Sequence, residues 1–450
     1  MKCSETKPTY KTNLSPTSVN TDGLSPAAKT LSETSAVPEP NKAADAKAVR
    51  RKLMAARVGF FTGGFTVASW APVIPFVQSE LGLEPAVLGA LLLGLGVGSF
   101  VGMPIAGSLS ERFGNRTAIG MSGFLSCLLL VVLSMVPGFA IECAALFLYG
   151  IALGCLEVSV NIYGTQIEKE IGTPVMSGLH AAYSIGEVLS AGALTGLLML
   201  GTPLGASVTG LMVVLSVMLL LALRAAPATP AVRSAEKEKK SPLRFAAPRG
   251  KVLMLSLVCM AAFLAEGAML DWSALYIHNV GGVDLSAAGI GYTLFVAAMA
   301  ISRLTGDALV KKYGSAKVLF TGIMLNIGTL VAMVLVPHPV VLFASLFVMG
   351  LGVANVAPIL ISNAANVKGV DQTAAITTVT TVGYGGLMAG PALLGFIAQH
   401  WSLQTAFCFI AVLLTAVLVN FMMNVSGSRK TVKPAQSGKM THTHQSASAQ

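Results

Sequence analysis

The chain has 450 residues, of which 54% are hydrophobic and only 11% charged, with a formal net charge of +10. Soluble domains carry about 25% charged residues, and the mean hydropathy here is +0.72. A soluble multi-domain protein is excluded and a polytopic membrane protein is implied. The positive excess collects in alternate loops, so it is topological and says nothing for nucleic acid.

Residues 1–50 are rich in Ser, Thr, Pro, Ala and Lys and contain no apolar run. They are neither a signal peptide nor a span, and they read as a disordered cytoplasmic tail. Apolar stretches then follow at about 54–77, 87–108, 117–137, 139–164, 176–200 and 205–224. Residues 225–250 form the only long internal polar stretch and read as a cytoplasmic linker. A second set follows at about 251–278, 286–310, 316–336, 339–364, 373–397 and 401–424, and residues 425–450 read as another disordered cytoplasmic tail. Each stretch is long enough to cross about 30 Å of hydrocarbon, and a spanning segment without water around it must be helical. The expected fold is all-α, with 12 transmembrane helices in two pseudo-symmetric six-helix bundles, residues 51–224 and 251–424.

Every second loop contains no Lys or Arg: 78–86, 138, 201–204, 279–285, 337–338 and 398–400. The basic residues lie in or next to the other loops and the tails, apart from Arg303 inside the eighth span. The positive-inside rule then places both termini in the cytoplasm. The six cysteines form no CxxC pair and read as small apolar packers rather than disulfides or metal ligands. His442 and His444 in the C-terminal tail could bind a metal, but two histidines in such a tail are more often no site. No cofactor or metal is expected.

The two sets of spans are related by an offset of 200 residues. Glu111-Arg112-Phe113-Gly114 falls on Lys311-Lys312-Tyr313-Gly314, each a charged turn between the second and third spans of its half. Gly150 aligns with Gly350 and Gly186 with Gly386. Such symmetry is typical of secondary transporters, whose substrate lies near the midplane between repeats. Gly94, Gly98 and Gly102 follow the small-xxx-small spacing that lets helices approach closely. No Walker A sequence is present, which argues against ATP-driven transport.

The turn Gly107, Glu111, Arg112, Gly114 and Arg116 matches G-x-x-x-[DE]-R-x-G-x-R, and Asp307, Lys311, Lys312 and Gly314 form a degraded copy. On these residues the chain resembles the major facilitator superfamily over about 54–424. The stretches 156–187, 265–277 and 302–307 resemble a bacterial branch near the fucose permeases. That branch includes a protein linked to rhizopine, an inositol-derived amine. The resemblance implies a monomeric, multi-pass carrier of the bacterial inner membrane that is not an enzyme. Two departures stand out. No acidic residue lies between Met54 and Val77, where proton-coupled fucose carriers have one, and 146–154 lacks the Arg of the antiporter-type motif.

An ionisable group at the centre of a span costs roughly 2.5–3.5 kcal/mol on insertion scales, so it must be paired, hydrated or functional. Glu187 and Glu266 come near mid-bilayer, one in each half, and desolvation there suits a group that carries a proton. Buried acids that only fix packing are the alternative. Arg303 precedes Asp307 by one helical turn, which allows an ion pair on one face and a gate clamp near the cytoplasm. Contact with an anionic or hydroxylated substrate is the other role for Arg303. Glu157 is expected within two turns of the cytoplasmic end of its span, paired with Arg112 or Arg116 in a gate, with substrate contact as the alternative. Trp272, next to Asp271, suits either stacking on a sugar or the interfacial aromatic belt. Asn355 and Tyr384 read as polar cavity liners or as interhelical hydrogen bonds.

The expected function is secondary active transport of a small polar solute: a sugar, polyol or inositol-like amine. Alternating access would move it, with protons driving it through Glu266 or Glu187. Proton-antiport efflux of amphipathic compounds and a non-transporting membrane sensor are the alternatives.

Overall fold

The computed structural model describes residues 42–136, 138–173, 175–227 and 250–430. The expected tails and linker lie largely outside these residues, as do His442 and His444. Among the described residues, 12 helical segments are long and apolar enough to cross a membrane. Span 1 is built from helices Lys42–Trp70 and Ile74–Leu81, span 2 is Pro85–Phe113, span 3 Asn115–Ser134, span 4 Phe139–Ile171, span 5 Met176–Met199 and span 6 Leu204–Ala225. Span 7 is Gly250–Asn279, span 8 Gly289–Tyr313 and span 9 Ser315–Leu335. Span 10 is the pair Pro339–Val353 and Val356–Ala365, span 11 Gln372–His400 and span 12 Leu403–Lys430. The first helix starts inside the expected tail, and span 4 runs on to Ile171, beyond the expected 164.

Both charged turns have the same backbone. Gly114 has φ 80 and ψ 153, and Gly314 has φ 85 and ψ 148. This left-handed φ favours glycine. Each glycine ends one helix and starts the next: Gly114 N–H donates to Ser110 O at 3.0 Å and Gly314 N–H to Val310 O at 2.9 Å. The repeat read from sequence is thus a repeat of conformation. We call the end of the molecule bearing these turns the hinge end, and the opposite end the far end.

Glycine crossings also repeat. A Cβ on Gly150 would overlap the carbonyl oxygen of Leu95, and one on Gly350 that of Phe295. Spans 2 and 4 therefore meet as spans 8 and 10 do. Gly186 approaches Phe61 O, and Gly386 approaches Met260 O, which pairs spans 1 and 5 as spans 7 and 11. Without side chains at these points the backbones come close enough for dispersion and short polar contacts to hold helices that lipid would otherwise solvate equally well. Tyr149 Oη adds a 2.6 Å bond to Thr66 O, and Ser190 Oγ a 2.6 Å bond to Phe65 O, both buried.

The two bundles meet through span 2 against span 11 and span 5 against span 8. Gly89 faces Pro391 O, Gly395 faces Pro85 O, and Gly289 faces Thr195 Oγ1. Ala86 N–H donates to Gln399 Oε1 at 3.0 Å. All these contacts fall in the far halves of the helices, so the bundles are locked together at the far end.

Candidate functional site

Ionisable and phenolic side chains from both bundles lie within the spans, most of them near mid-depth, with Asp271 and Tyr292 towards the far end. The first bundle supplies Glu157 from span 4 and Tyr183 and Glu187 from span 5. The second supplies Glu266 and Asp271 from span 7, Tyr292 and Arg303 from span 8, and Tyr384 from span 11. Arg303 Nη2 lies 3.5 Å from Glu266 Oε1, with the two side chains 41% and 27% exposed. Charge-assisted hydrogen bonds run at about 2.7–2.9 Å, so this is an ion pair longer than a direct hydrogen bond.

Glu187 interacts electrostatically with Arg303 and Glu266 across the bundle boundary, and with Glu157 in its own bundle. Tyr292 feels Glu187, Glu266, Asp271 and Arg303 together. Tyr183 feels Glu187, Glu157 and Arg303. Tyr384 is exposed, lies edge-on to Phe263 at 5.2 Å between centroids, and feels Glu157 and Glu266. Charges of both bundles therefore share one field around Arg303.

The backbone around Arg303 is held by span 10. That span breaks at Ala354-Asn355, and Asn355 Nδ2 donates to Ser302 O at 3.1 Å and to Ser302 Oγ at 3.0 Å. Ser302 Oγ donates in turn to Leu351 O at 2.8 Å. Gly306 makes room, because its Cβ would occupy the place of the Asn355 amide. A broken helix at membrane depth is tolerated where its freed polar groups are buried in protein or line a cavity.

The hinge end of the first bundle is tied by polar contacts. Arg116 Nη1 donates to Ala226 O at 2.9 Å, at the end of span 6. Asn115 Nδ2 donates to Gln166 Oε1 at 2.6 Å. Glu168 Oε2 accepts from the N–H of Val175 at 2.8 Å and of Met176 at 3.1 Å, capping span 5. Lys52 Nζ is 2.7 Å from Glu170 Oε1. In the second bundle, Lys312 Nζ sits 5.0 Å from the centroid of the Tyr313 ring.

The family model of the Major Facilitator Superfamily matches residues 58–291 and 282–447. The chain belongs to the major facilitator superfamily. It is 38% identical over 362 residues to an uncharacterized MFS-type transporter of Yersinia pestis, covering 80% of this chain and 92% of that one. It is 31% identical over 355 residues to membrane protein MosC of Rhizobium meliloti, covering 78% and 84%. Among solved structures, the nucleoside transporter NupG superposes with a TM-score of 0.68 at 14% identity, covering 83% of this chain and 99% of that one. A bacterial homologue of the lysosomal transporter Spinster, inward-facing and occupied, gives 0.63 at 14% identity, covering 85% and 98%. At that identity the likeness speaks for the fold. This is a multi-pass membrane transporter.

Within this superfamily fold, several side chains lie elsewhere than their sequence suggests. Glu157 is about 21 Å from the helix end at Ile171, at 1.5 Å per residue. It joins the mid-span carboxylates, not Arg112 or Arg116, because span 4 is longer than its apolar stretch. Arg303 pairs with Glu266; the side chain of Asp307, its expected partner, lies outside the described residues. Trp272 is 1% exposed, with no partner for its Nε1, so it is neither on the lipid surface nor open to a ring stacked on it. It borders a separate cavity of about 240 Å³ at the far end, with Gln78, Asn279 and Gln404. Asn355 makes an interhelical hydrogen bond and is half-buried. Gly107, Glu111, Arg112, Gly114, Arg116, Lys311 and Lys312 all lie at or beside the charged turns.

The sequence reading passed over Tyr183, Tyr292 and Glu142. The tyrosines are apolar enough to hide in a span, and only the tertiary contact reveals their shared field. Glu142 is fully buried near the far end of span 4, with both carboxylate oxygens unpartnered. Its acidic type inside an apolar span was the signal.

Proposed function

We propose that this chain is a proton-coupled secondary active transporter of the bacterial inner membrane, moving a small polar solute by alternating access. The solute is a sugar, a polyol or an inositol-like amine. The observation that carries this reading is the pair of mid-span carboxylates, Glu187 and Glu266, one from each bundle, sharing the field of Arg303. A proton or solute arriving at either carboxylate changes the charge balance across the bundle boundary. That gives binding a differential effect on two arrangements of the bundles, which a ligand needs in order to shift a conformational equilibrium.

The charge distribution supports a hinge end in the cytoplasm, with both termini. Far-end closure then makes this an inward-open arrangement. Glu111, Arg112 and Arg116, with Lys311 and Lys312, belong to the cytoplasmic gate and not to the solute site. One chain supplies both bundles, so a monomer suffices.

The test is uptake into proteoliposomes. A thermal-shift screen against sugars, polyols and amines first selects a solute, since a ligand that binds only the folded state raises apparent stability. Accumulation of that solute should then follow an imposed pH gradient. Glu266→Gln and Glu187→Gln should lose gradient-driven accumulation while keeping solute exchange. Uptake indifferent to the gradient, with both variants fully active, would reject proton coupling.

A further inference from the structure

We infer that the far-end cavity is a second binding site, separate from the mid-span carboxylates, for a small uncharged ligand bearing hydroxyl groups. The cavity has a volume of about 240 Å³ and lies on the boundary between the bundles. Gln78 and Pro85 of the first bundle line one side. Span 7 contributes Trp272 and Asn279, and span 12 contributes Gln404. Trp272 lies about 9 Å beyond Glu266 along span 7, at 1.5 Å per residue. The inference goes beyond the transport reading and does not depend on proton coupling.

The cavity has a buried base and an open rim. Trp272, Leu275 and Asn279 fall at i, i+3 and i+7, on one face of span 7. Trp272 and Leu275 are 1% exposed, whereas Asn279 is exposed. The base and rim are thus about 10 Å apart. Hydrogen bonds between the bundles brace the rim. Gln399 Oε1 accepts from Ala86 N–H at 3.0 Å, and Gln399 Nε2 donates to Glu84 Oε2. The second bond also occupies Glu84, the carboxylate next to Pro85 in the chain.

The polar lining sets the chemistry of the ligand. It consists of three carboxamides and one indole, with no charged side chain. Each carboxamide offers N–H donors and a carbonyl acceptor, and the indole offers a donor only. A hydroxyl group both donates and accepts, so it can meet all four. Trp272 Nε1 is buried with no partner, and a buried donor left without an acceptor is costly. A ligand oxygen at the base would satisfy it. Gln78 Nε2 donates to Leu83 O at 3.2 Å, which leaves the Gln78 carbonyl to accept from a ligand. A charged ligand would give up water and find no opposite charge. The volume is below the roughly 300–1,000 Å³ of drug-sized sites, so the occupant is limited to about one ring.

A ligand held between Gln78 and Gln404 touches both bundles. It therefore binds best when the far end is closed and shifts the protein towards that arrangement. The cavity is a place where a compound on the far side of the membrane restrains the carrier.

The test uses the full chain in lipid nanodiscs, which hold no sugar-based detergent. Ala398→Cys places a thiol in the cavity wall, and its rate of reaction with N-ethylmaleimide is corrected for the parent protein. Glucose and myo-inositol are the uncharged probes, and gluconate and glucosamine their charged counterparts. Glucose or myo-inositol should protect the thiol saturably. At about ten times the half-protecting concentration the rate should fall about tenfold. The charged pair should protect far less. Gln78→Leu and Gln404→Leu, one from each bundle, should each raise the half-protecting concentration about two- to tenfold, the worth of one hydrogen bond. No protection by either uncharged probe leaves the cavity to water and overturns the inference. So does equal protection by a charged counterpart, or protection unchanged in either leucine variant. Should Ala398→Cys fail to fold, Leu403→Cys places the thiol in the same wall. Protection is read without transport, so a chain that moves no solute would reject the proposed function and leave this site standing.

Discussion

Gly150 and Gly350 occupy the same crossing in the two halves, and replacing each by alanine probes whether the repeat is one of packing. The new methyl on Gly150 would overlap Leu95 O and lie 3.0 Å from both Leu95 C and Ser99 N. On Gly350 it would overlap Phe295 O and lie 2.9 Å from Ala298 Cβ. Optimal carbon contacts sit at about 3.5–4.0 Å, so each helix pair must part by at least about 0.5 Å, and by more against the carbonyl. Overpacking of this kind costs about 1–3 kcal/mol. Alanine's better helix propensity offsets about 1 kcal/mol of it. Gly94 is the control: it lies in the same span as Leu95, but nothing lies within 4 Å of its Cβ position. Gly94→Ala should gain the propensity without the clash. The two crossing variants should therefore fall below Gly94→Ala by about 1–3 kcal/mol. Unfolding in mixed micelles with increasing dodecyl sulfate measures this. Crossing variants as stable as Gly94→Ala would refute the close-packed repeat.

Glu142 is buried with both oxygens unpartnered, and its repeat position holds the equally buried Leu342. Glu142→Leu should stabilise the protein by about 1–3 kcal/mol in the same unfolding assay, the cost of a buried polar group without a hydrogen bond. Loss of transport with folding intact would instead assign Glu142 a part in the cycle. Asn355→Ala removes two hydrogen bonds to Ser302 and should cost about 1–2 kcal/mol. It should also lower solute affinity, measured by binding, because the backbone beside Arg303 is then free to shift. Trp272→Phe should leave solute affinity unchanged, whereas Trp272→Ala should cost about 3–5 kcal/mol of stability by emptying a packed site. Weaker solute binding by Trp272→Phe would return the indole to the solute site.

The number of spans, the two-bundle fold and the 200-residue offset were legible in the sequence because hydrocarbon imposes them locally. A spanning segment must be apolar and helical for its full length, and a turn such as Phe113-Gly114 needs a residue that tolerates positive φ. These constraints act on each stretch of chain separately, so they leave their mark in linear order. Glu187 and Glu266 stood out for the same reason, as charges inside apolar runs.

Partnership was not legible. Arg303 forms an ion pair with Glu266 on another span, a partner that no spacing in the chain indicates. Glu157 looked close to the charged turns because its apolar stretch ends at 164, but the helix continues to Ile171 and carries it to mid-span. Trp272 has the composition of an interface residue and is buried. Which faces of the spans meet depends on glycine crossings between residues such as Leu95 and Gly150, or Pro391 and Gly89. The sequence by itself determined that the chain crosses a membrane as two copies of one bundle. Only the tertiary structure decided which charges share a field, because electrostatic interaction depends on distance in space.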